Sequence, residues 1–338
     1  MSLSVVTHLE TPEVVAAKRI LRHFNEAAYL QAHPDVAAAC ANKSLANGRA
    51  HFEAFGMAEG RRLGPSRRQR MIRGIEVGVA VGVEIGPLMT PIVEKSDGAI
   101  LYVDHVDTAH LREKYAKDHN VDVMRIVPVD VVWNSGQFKH AFEPGFTADY
   151  VLASHVVEHV PDLIRWLGDL RDVLKPDGLL RLAVPDRRYT FDFMRRETEL
   201  HDILAAYVEE AKVPTPQAVL DHCINYRPID TVEMWLGKLR PETLQPSRSI
   251  DAAVALARDS YEHGRYVDVH CWVFTPRGFA QLMVEATAAG LINFACADFS
   301  FPMPFDNDFV VGLRPSTSAS EMVESWQRML AAALENGE

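Results

Sequence analysis

Residues 79–104 read VAVGVEIGPLMTPIVEKSDGAILYVD, and this stretch decides the fold. A short apolar run, Val79 to Ile85, stops at Gly86-Pro87-Leu88, and a second, Ala99 to Val103, stops at Asp104. A buried strand that ends in glycine must turn sharply toward a helix, and glycine lets the backbone approach a ligand there. An acidic residue closing the next strand, about 20 residues on, is placed to accept the hydroxyls of a ribose. Each feature alone has a plain reading as a turn or a helix cap. Their order along the chain points instead to a nucleoside-containing ligand.

The same grammar continues downstream. Thr108 to His119 has helical spacing, and Met124 to Val129 (MRIVPV) reads as a third strand ending at Asp130, whose carboxylate suits an adenine amino group. Tyr150 to Ala153 is a fourth strand. Leu163 to Leu174 is an amphipathic helix closed by Pro176-Asp177-Gly178, and Leu179 to Val184 is a fifth strand. Alternating strands and helices predict right-handed crossovers and an α/β fold. Residues 186–265 break the rhythm as a helical, polar insertion. Pro276 to Ala289 resumes it, followed by a hairpin-like pair of strands, Ile292 to Phe299 and Phe309 to Leu313, separated by Pro302, Pro304 and Asp306-Asn307-Asp308. Glu321 to Leu334 is a last helix. The sheet should thus be mostly parallel, with an antiparallel last strand.

Upstream, residues 1–63 read as a module of short helices in which Leu21, Phe24, Ala28 and Tyr29 recur at helical spacing and Asp35 follows Pro34 as a helix N-cap. Residues 64–73 form a basic connector, and Arg61, Arg62, Arg67, Arg68, Arg70 and Arg73 read as a solvated linker or helix face, with an anion or partner site as the alternative. Residues 74–315 make the main domain, and residues 316–338 the C-terminal helix. A formal net charge of -11 argues against a nucleic-acid backbone as partner. The four scattered cysteines suit a reducing cytoplasm. The N-terminal residues lack the pattern of a leader peptide, and the apolar stretch from Ile75 to Val93, broken by Glu76 and Glu84, is too polar to span a membrane.

The fourth strand runs into ASHVVEHVPD, residues 153–162, which lines the same crevice. His155, Glu158 and His159 have metal-ligand chemistry, and H-x-x-E-H matches an inverted zinc-protease motif. That motif sits on a continuous helix, whereas here a strand precedes and Pro161 follows. The expectation is no metal and a loop facing cofactor or substrate.

The series VEIGP, YVDH, PVD, ASHVVEHVPD and LKPDGLLRLAVPD resembles a class I S-adenosylmethionine-dependent methyltransferase over residues 74–314. The resemblance implies a Rossmann-like sheet with a helical insertion after strand 5, and S-adenosyl-L-methionine as cofactor. It assigns Glu84, Gly86 and Pro87 to the loop that wraps the methionine part, Asp104 with His105 to the ribose, and Asp130 to the adenine. Ser154 and His155 fall beside the sulfonium. The usual Gly-x-Gly-x-Gly is reduced to Gly86-Pro87-Leu88, so the loop departs from the family's pattern. A finer likeness, carried by EIGPLMTPIV, YVDHVDTAHLREKY, ASHVVEHVPDLIRWL and VPDRRYTFDFMRRET, is to methyltransferases encoded among bacterial surface-polysaccharide glycosyltransferases. FNEAAYLQAHPDVAAA and HFEAFGMAEGRRL resemble a helical module that accompanies such proteins.

Transfer of a methyl group to a hydroxyl needs alignment and a base. His155, His159, Asp186, Tyr189 and His270 are the candidates, with Asp268, His222, Tyr226 and the arginines after Asp186 as lesser ones. The resulting expectation is O-methylation of a sugar or glycan intermediate in the cytoplasm. A glycosyltransferase partner would dock through the N-terminal module, and a homodimer stays open. The alternatives are methylation of a small natural product at O, N or C, and a non-catalytic scaffold. A dehydrogenase would need Gly-x-Gly-x-x-Gly, which VEIGPLMTP lacks.

Overall fold

The computed structural model describes residues 11–336; the expectations for residues 1–10 and 337–338, including the leader-peptide reading, lie outside them. Seven strands form one sheet: β1 (Gly82–Ile85), β2 (Ile100–Asp104), β3 (Val131–Val132), β4 (Ala148–Ser154), β5 (Leu174–Pro185), β6 (Phe294–Ser300) and β7 (Asp308–Pro315). Their order is β3-β2-β1-β4-β5-β7-β6. β1 to β5 pair in parallel, and β7 runs antiparallel to both β5 and β6. This is the Rossmann-like arrangement of class I methyltransferase folds. The order reverses between β1 and β4, which opens a crevice at the carboxyl ends of those strands.

Burial on both faces explains the near-continuous apolar strands. Val83, Ile85, Val103, Val151 and Ala153 point to one core, where they meet α7 (Leu163–Arg171), α12 (Pro276–Ala288) and α13 (Ala319–Glu335). Tyr102, Tyr150 and Leu152, the alternate residues, meet Met71, Ile92 and Val93 on the other face. Among the described residues, no helix is long and apolar enough to cross a membrane.

The third strand departs from expectation. It is two residues long and follows Asp130, while residues 123–125 form a single 3-10 turn. Pro128 cannot donate to a ladder, and its neighbours bond elsewhere: the Val127 amide to the Leu88 carbonyl and the Val129 amide to the Thr108 hydroxyl. β1 starts only at Gly82. The helix expected to reach Leu174 stops at Arg171, and Leu174 already pairs with Ala148, so Pro176-Asp177-Gly178 loops out of β5 rather than preceding it. The helix from Thr108 ends at Lys114 (α6).

The N-terminal helices are α1 (Pro12–Leu21), α2 (Glu26–Ala32), α3 (Pro34–Ala41) and α4 (Gly48–His51), the last running into a π turn at Phe52–Gly56. His33, not Asp35, occupies the cap of α3; Asp35 sits in its first turn and pairs with Arg61 at 2.7 Å. The basic connector carries a helix face, with Arg62, Arg68 and Arg73 exposed and Arg70 buried. It holds α5 (Arg67–Met71), and its arginines meet internal carboxylates: Arg68 with Asp97, Arg73 with Asp298, and Arg67 and the buried Arg70 with Asp308.

The segment between β5 and α12 is helical, with α8 (Leu200–Val208), α9 (Pro216–Asn225), α10 (Thr231–Trp235) and α11 (Ile250–His263). It shares a core with the N-terminal helices, in which Ile20, Tyr29, Val36 and Phe52 pack with Tyr189, Trp235 and Leu236.

Candidate active site at the carboxyl ends of the strands

The crevice floor is the turn after β1. Gly86 has φ +65, and a Cβ there would meet the Val156 side chain at 3.1 Å, so the β1 and β4 turns are in close contact. Leu88 has a left-handed φ of 47, which a glycine would adopt without steric cost. Glu84 lies on the face of β1 opposite Val83 and Ile85. Its two oxygens accept from the Ile92 and Val93 amides, at 2.7 and 3.1 Å. The side chain is buried, and burial pushes its pKa up to about 7. Glu84 therefore pins the loop from within. Pro87 begins that loop.

At the end of β2, Asp104 is buried, and its Oδ1 accepts from the His105 amide at 2.8 Å and lies 2.6 Å from His105 Nδ1. His105 is half-exposed at the crevice mouth, near the Tyr266 ring. Asp130 is engaged elsewhere. It accepts from the Tyr102 amide and chelates Lys95 Nζ at 2.6 and 2.7 Å, bracing β2 where β3 begins.

At the end of β4, Ser154 leads into His155, whose φ of 54 is unusual for a residue with a Cβ. Its amide donates to the Ala183 carbonyl, and its Nε2 lies 3.0 Å from Asp308 Oδ2. Burial opposes the Asp308 charge, but His155, Arg67 and Arg70 hold its pKa far below the carboxylate range. Asp308 is the first residue of β7, and its arginines come from the connector, so three distant segments fix one imidazole.

Beside His155 lies a second group of titratable side chains. His159 Nδ1 sits 2.9 Å from Asp268 Oδ1, an oblique ion-pair contact rather than a linear hydrogen bond. Burial lowers the His159 pKa, but Asp268 and Glu158 outweigh it and raise the net value. Asp268 is held well below its usual range by His159 and by Lys114. His270 is buried, and its Nδ1 lies 2.5 Å from Asp192 Oδ2. Asp192 is buried as well, which opposes its charge, yet His270 and Arg195 pull its pKa down to about 2. The His270 amide donates to His222 Nδ1, and burial presses His222 down to about 3, a neutral ring. Phe191, Tyr226 and Tyr266 add aromatic faces; Phe191 stacks on Tyr226 and sits 4.7 Å from the His270 ring.

Two sequence candidates lie outside this group. Asp186 is buried, with its pKa raised by that burial, and it grips Arg188 through both oxygens. Tyr189 stacks flat on Trp235 at 4.0 Å, facing the N-terminal helices. Asp192 and Asp308 escaped sequence reasoning. Each lies more than thirty residues from the histidine it holds, so no local spacing betrays it. Glu158 was visible only as a member of its motif.

A groove of about 1130 Å³ runs beside α8 and is lined by Arg195, Glu209, Tyr261 and Trp272, but by none of Gly86, Asp104 or His155. The chemistry at the strand ends locates the site better than volume does.

Residues 50–290 match a family model described as a methyltransferase domain. No curated protein is recognisably similar in sequence. Solved structures are remotely similar. A Rhodobacter sphaeroides protein described as a Zn-dependent alcohol dehydrogenase matches at 14% identity and TM-score 0.37, covering 79% of this chain and 96% of its own. An S-adenosylmethionine-dependent methyltransferase from Mesorhizobium loti matches at 13% and 0.35, covering 71% and 92%. The CcbJ methyltransferase from Streptomyces caelestis matches at 18% and 0.25, covering 38% of this chain and 56% of its own. TM-scores this low carry no argument about substrate.

Proposed function

The chain belongs to the methyltransferase-domain family, and from that premise we propose that it O-methylates a hydroxyl of a sugar or glycan-type acceptor, as in the building of a bacterial polysaccharide. Its cofactor is S-adenosylmethionine, which supplies an electrophilic methyl group on a sulfonium. The residues present fit it: a close backbone turn at Gly86, a buried carboxylate at the end of β2, and the β4 end alongside. Asp104 and His105 would take the ribose, and the Gly86–Leu88 backbone and Ser154 the methionine part. Glu84 acts one step back, by holding the loop.

The observation that carries the reaction type is the His155–Asp308 pair. With Nε2 donating to the ionised Asp308, the neutral ring keeps its lone pair on Nδ1. That tautomer can take a hydroxyl proton, and Asp308 stabilises the imidazolium that results. The left-handed backbone of His155 is the cost of aiming the ring, of order 1 kcal/mol. Aromatic rings and hydrogen-bonding groups side by side, at Phe191, Tyr226, Tyr266 and His222, suit an acceptor with alternating hydroxyl and C–H faces.

The test is methyl transfer to a panel of hydroxylated sugars and nucleotide-sugars, using His155→Ala. Loss of a general base should lower kcat by about 100- to 10,000-fold while leaving cofactor affinity intact. Full turnover by the variant with a true acceptor would remove His155 from this role.

A further inference from the structure

We propose that Glu158, His159 and His270 form a binding site for a divalent transition-metal ion of the zinc class. Their ligand atoms lie within 4.8 Å of one another. His159 Nε2 and His270 Nε2 stand 3.8 and 3.9 Å from Glu158 Oε1. Ligands around a tetrahedral zinc sit about 3.3 Å apart, so a small rotation of each side chain closes the set.

Glu158 is the reason to look for a cation. Its side chain is 1% exposed, yet neither carboxylate oxygen has a hydrogen-bond partner. An ionised carboxylate so placed is costly unless something positive faces it. The charges around it do not supply the balance. Arg195 bridges the buried Asp192 at 2.9 Å and the part-exposed Asp221 at 2.8 Å, and Lys114 meets Asp268, which leaves Glu158 as the buried carboxylate faced by imidazoles alone. A divalent cation supplies the missing positive charge; otherwise an imidazolium must.

The outer contacts suit the cation. Each histidine turns Nδ1 to a carboxylate, His270 to Asp192 and His159 to Asp268, and so presents Nε2 inward. A carboxylate on the far nitrogen of a ligating histidine fixes its tautomer and raises its basicity. Two imidazoles and one carboxylate favour zinc, iron, cobalt or nickel over magnesium or calcium, which prefer all-oxygen shells. Sequence reasoning set metal aside because H-x-x-E-H needs a continuous helix. Here the third ligand comes from His270, in the segment before α12, and no helix is required. His155 Nδ1 lies 3.8 Å from the same Glu158 oxygen, so a cation would hold an acceptor oxygen next to the base and lower its pKa. The binding itself does not depend on which acceptor is used.

The experiment is metal analysis of the full-length chain, stripped with chelator and reloaded with zinc, then repeated with cobalt as a spectroscopic probe. One zinc per chain and visible cobalt bands shifted by imidazole ligation are expected. Glu158→Gln and His270→Ala should abolish saturable uptake, and Asp192→Asn should weaken it by about 10- to 100-fold. His201→Ala, an exposed histidine outside the cluster, should change nothing. Wild-type protein that takes up no zinc or cobalt overturns the site and assigns the balance to protonated histidines. So does uptake that survives Glu158→Gln. S-adenosylmethionine binding is measured on the same samples, so loss of the metal site and loss of the fold are told apart.

Discussion

At the scale of single residues, the fold has put its buried carboxylates to different uses. Glu84 is buried against two backbone amides and has a pKa pushed to about 7, above its ordinary 4.5. The folded state therefore keeps a proton that the unfolded chain releases between those values. Its stabilising contribution is complete below about pH 4.5 and is lost as pH rises through 7. At 1.36 kcal/mol per pKa unit the difference is about 3 kcal/mol, as an order of magnitude. Glu84→Gln cannot titrate, so the stability gap between wild type and variant should change by about 2 kcal/mol, most of that difference, between pH 5 and pH 7.5 in urea unfolding. A gap that is the same at both pH values would show that burial does not perturb Glu84. Asp308 has the opposite environment, with two arginines and a histidine around it, and stays ionised.

At the scale of elements, what the sequence made legible follows from which signals are local. The apolar runs ending at Gly86, Asp104 and Ser154 are short buried strands, and their ends fall in the crevice because the strands are parallel. α7 was readable because one face is buried: Leu163, Trp166, Leu167 and Leu170. β3 was misplaced because an apolar run containing Pro128 looks like a strand but cannot donate along its length. Asp130 then changes from a strand end to a brace between Lys95 and Tyr102. His155 and His159 were legible because they stand in one motif. Asp268 was legible as a lesser candidate but not as the partner of His159, and Asp308 and the Asp192 that holds His270 were not legible at all, since long-range side-chain pairing leaves no period in the sequence. Tyr189 was expected in the crevice from its place after β5, yet an aromatic partner, Trp235, draws it to the other side.

At the scale of the whole molecule, the N-terminal helices share a buried cluster with the segment after β5. Trp235 is the joint. It is buried, stacks on Tyr189, donates from Nε1 to the Asp306 carbonyl at 2.8 Å, and lies under the Arg19 guanidinium at 4.9 Å. Trp235→Ala should lower global stability by about 3 to 5 kcal/mol in a single cooperative transition. Two separated transitions with an unchanged main midpoint would mean that the module folds on its own. The connector binds the same parts together, because Arg67 and Arg70 reach the carboxylate that orients His155. Of the arginines at 61–73, Arg67 and Arg70 thus serve the site from a distant part of the chain. The net charge of -11 includes carboxylates gathered around the crevice, where a cationic sulfonium would be welcome.

The central claim is that the strand ends hold S-adenosylmethionine through Asp104, and calorimetric titration of the cofactor into wild type and Asp104→Ala tests it most directly. Loss of a charge-assisted hydrogen bond to the ribose should weaken binding by at least about tenfold while the wild type binds one equivalent. Equal affinity in the two proteins, or no binding by the wild type, would contradict the account.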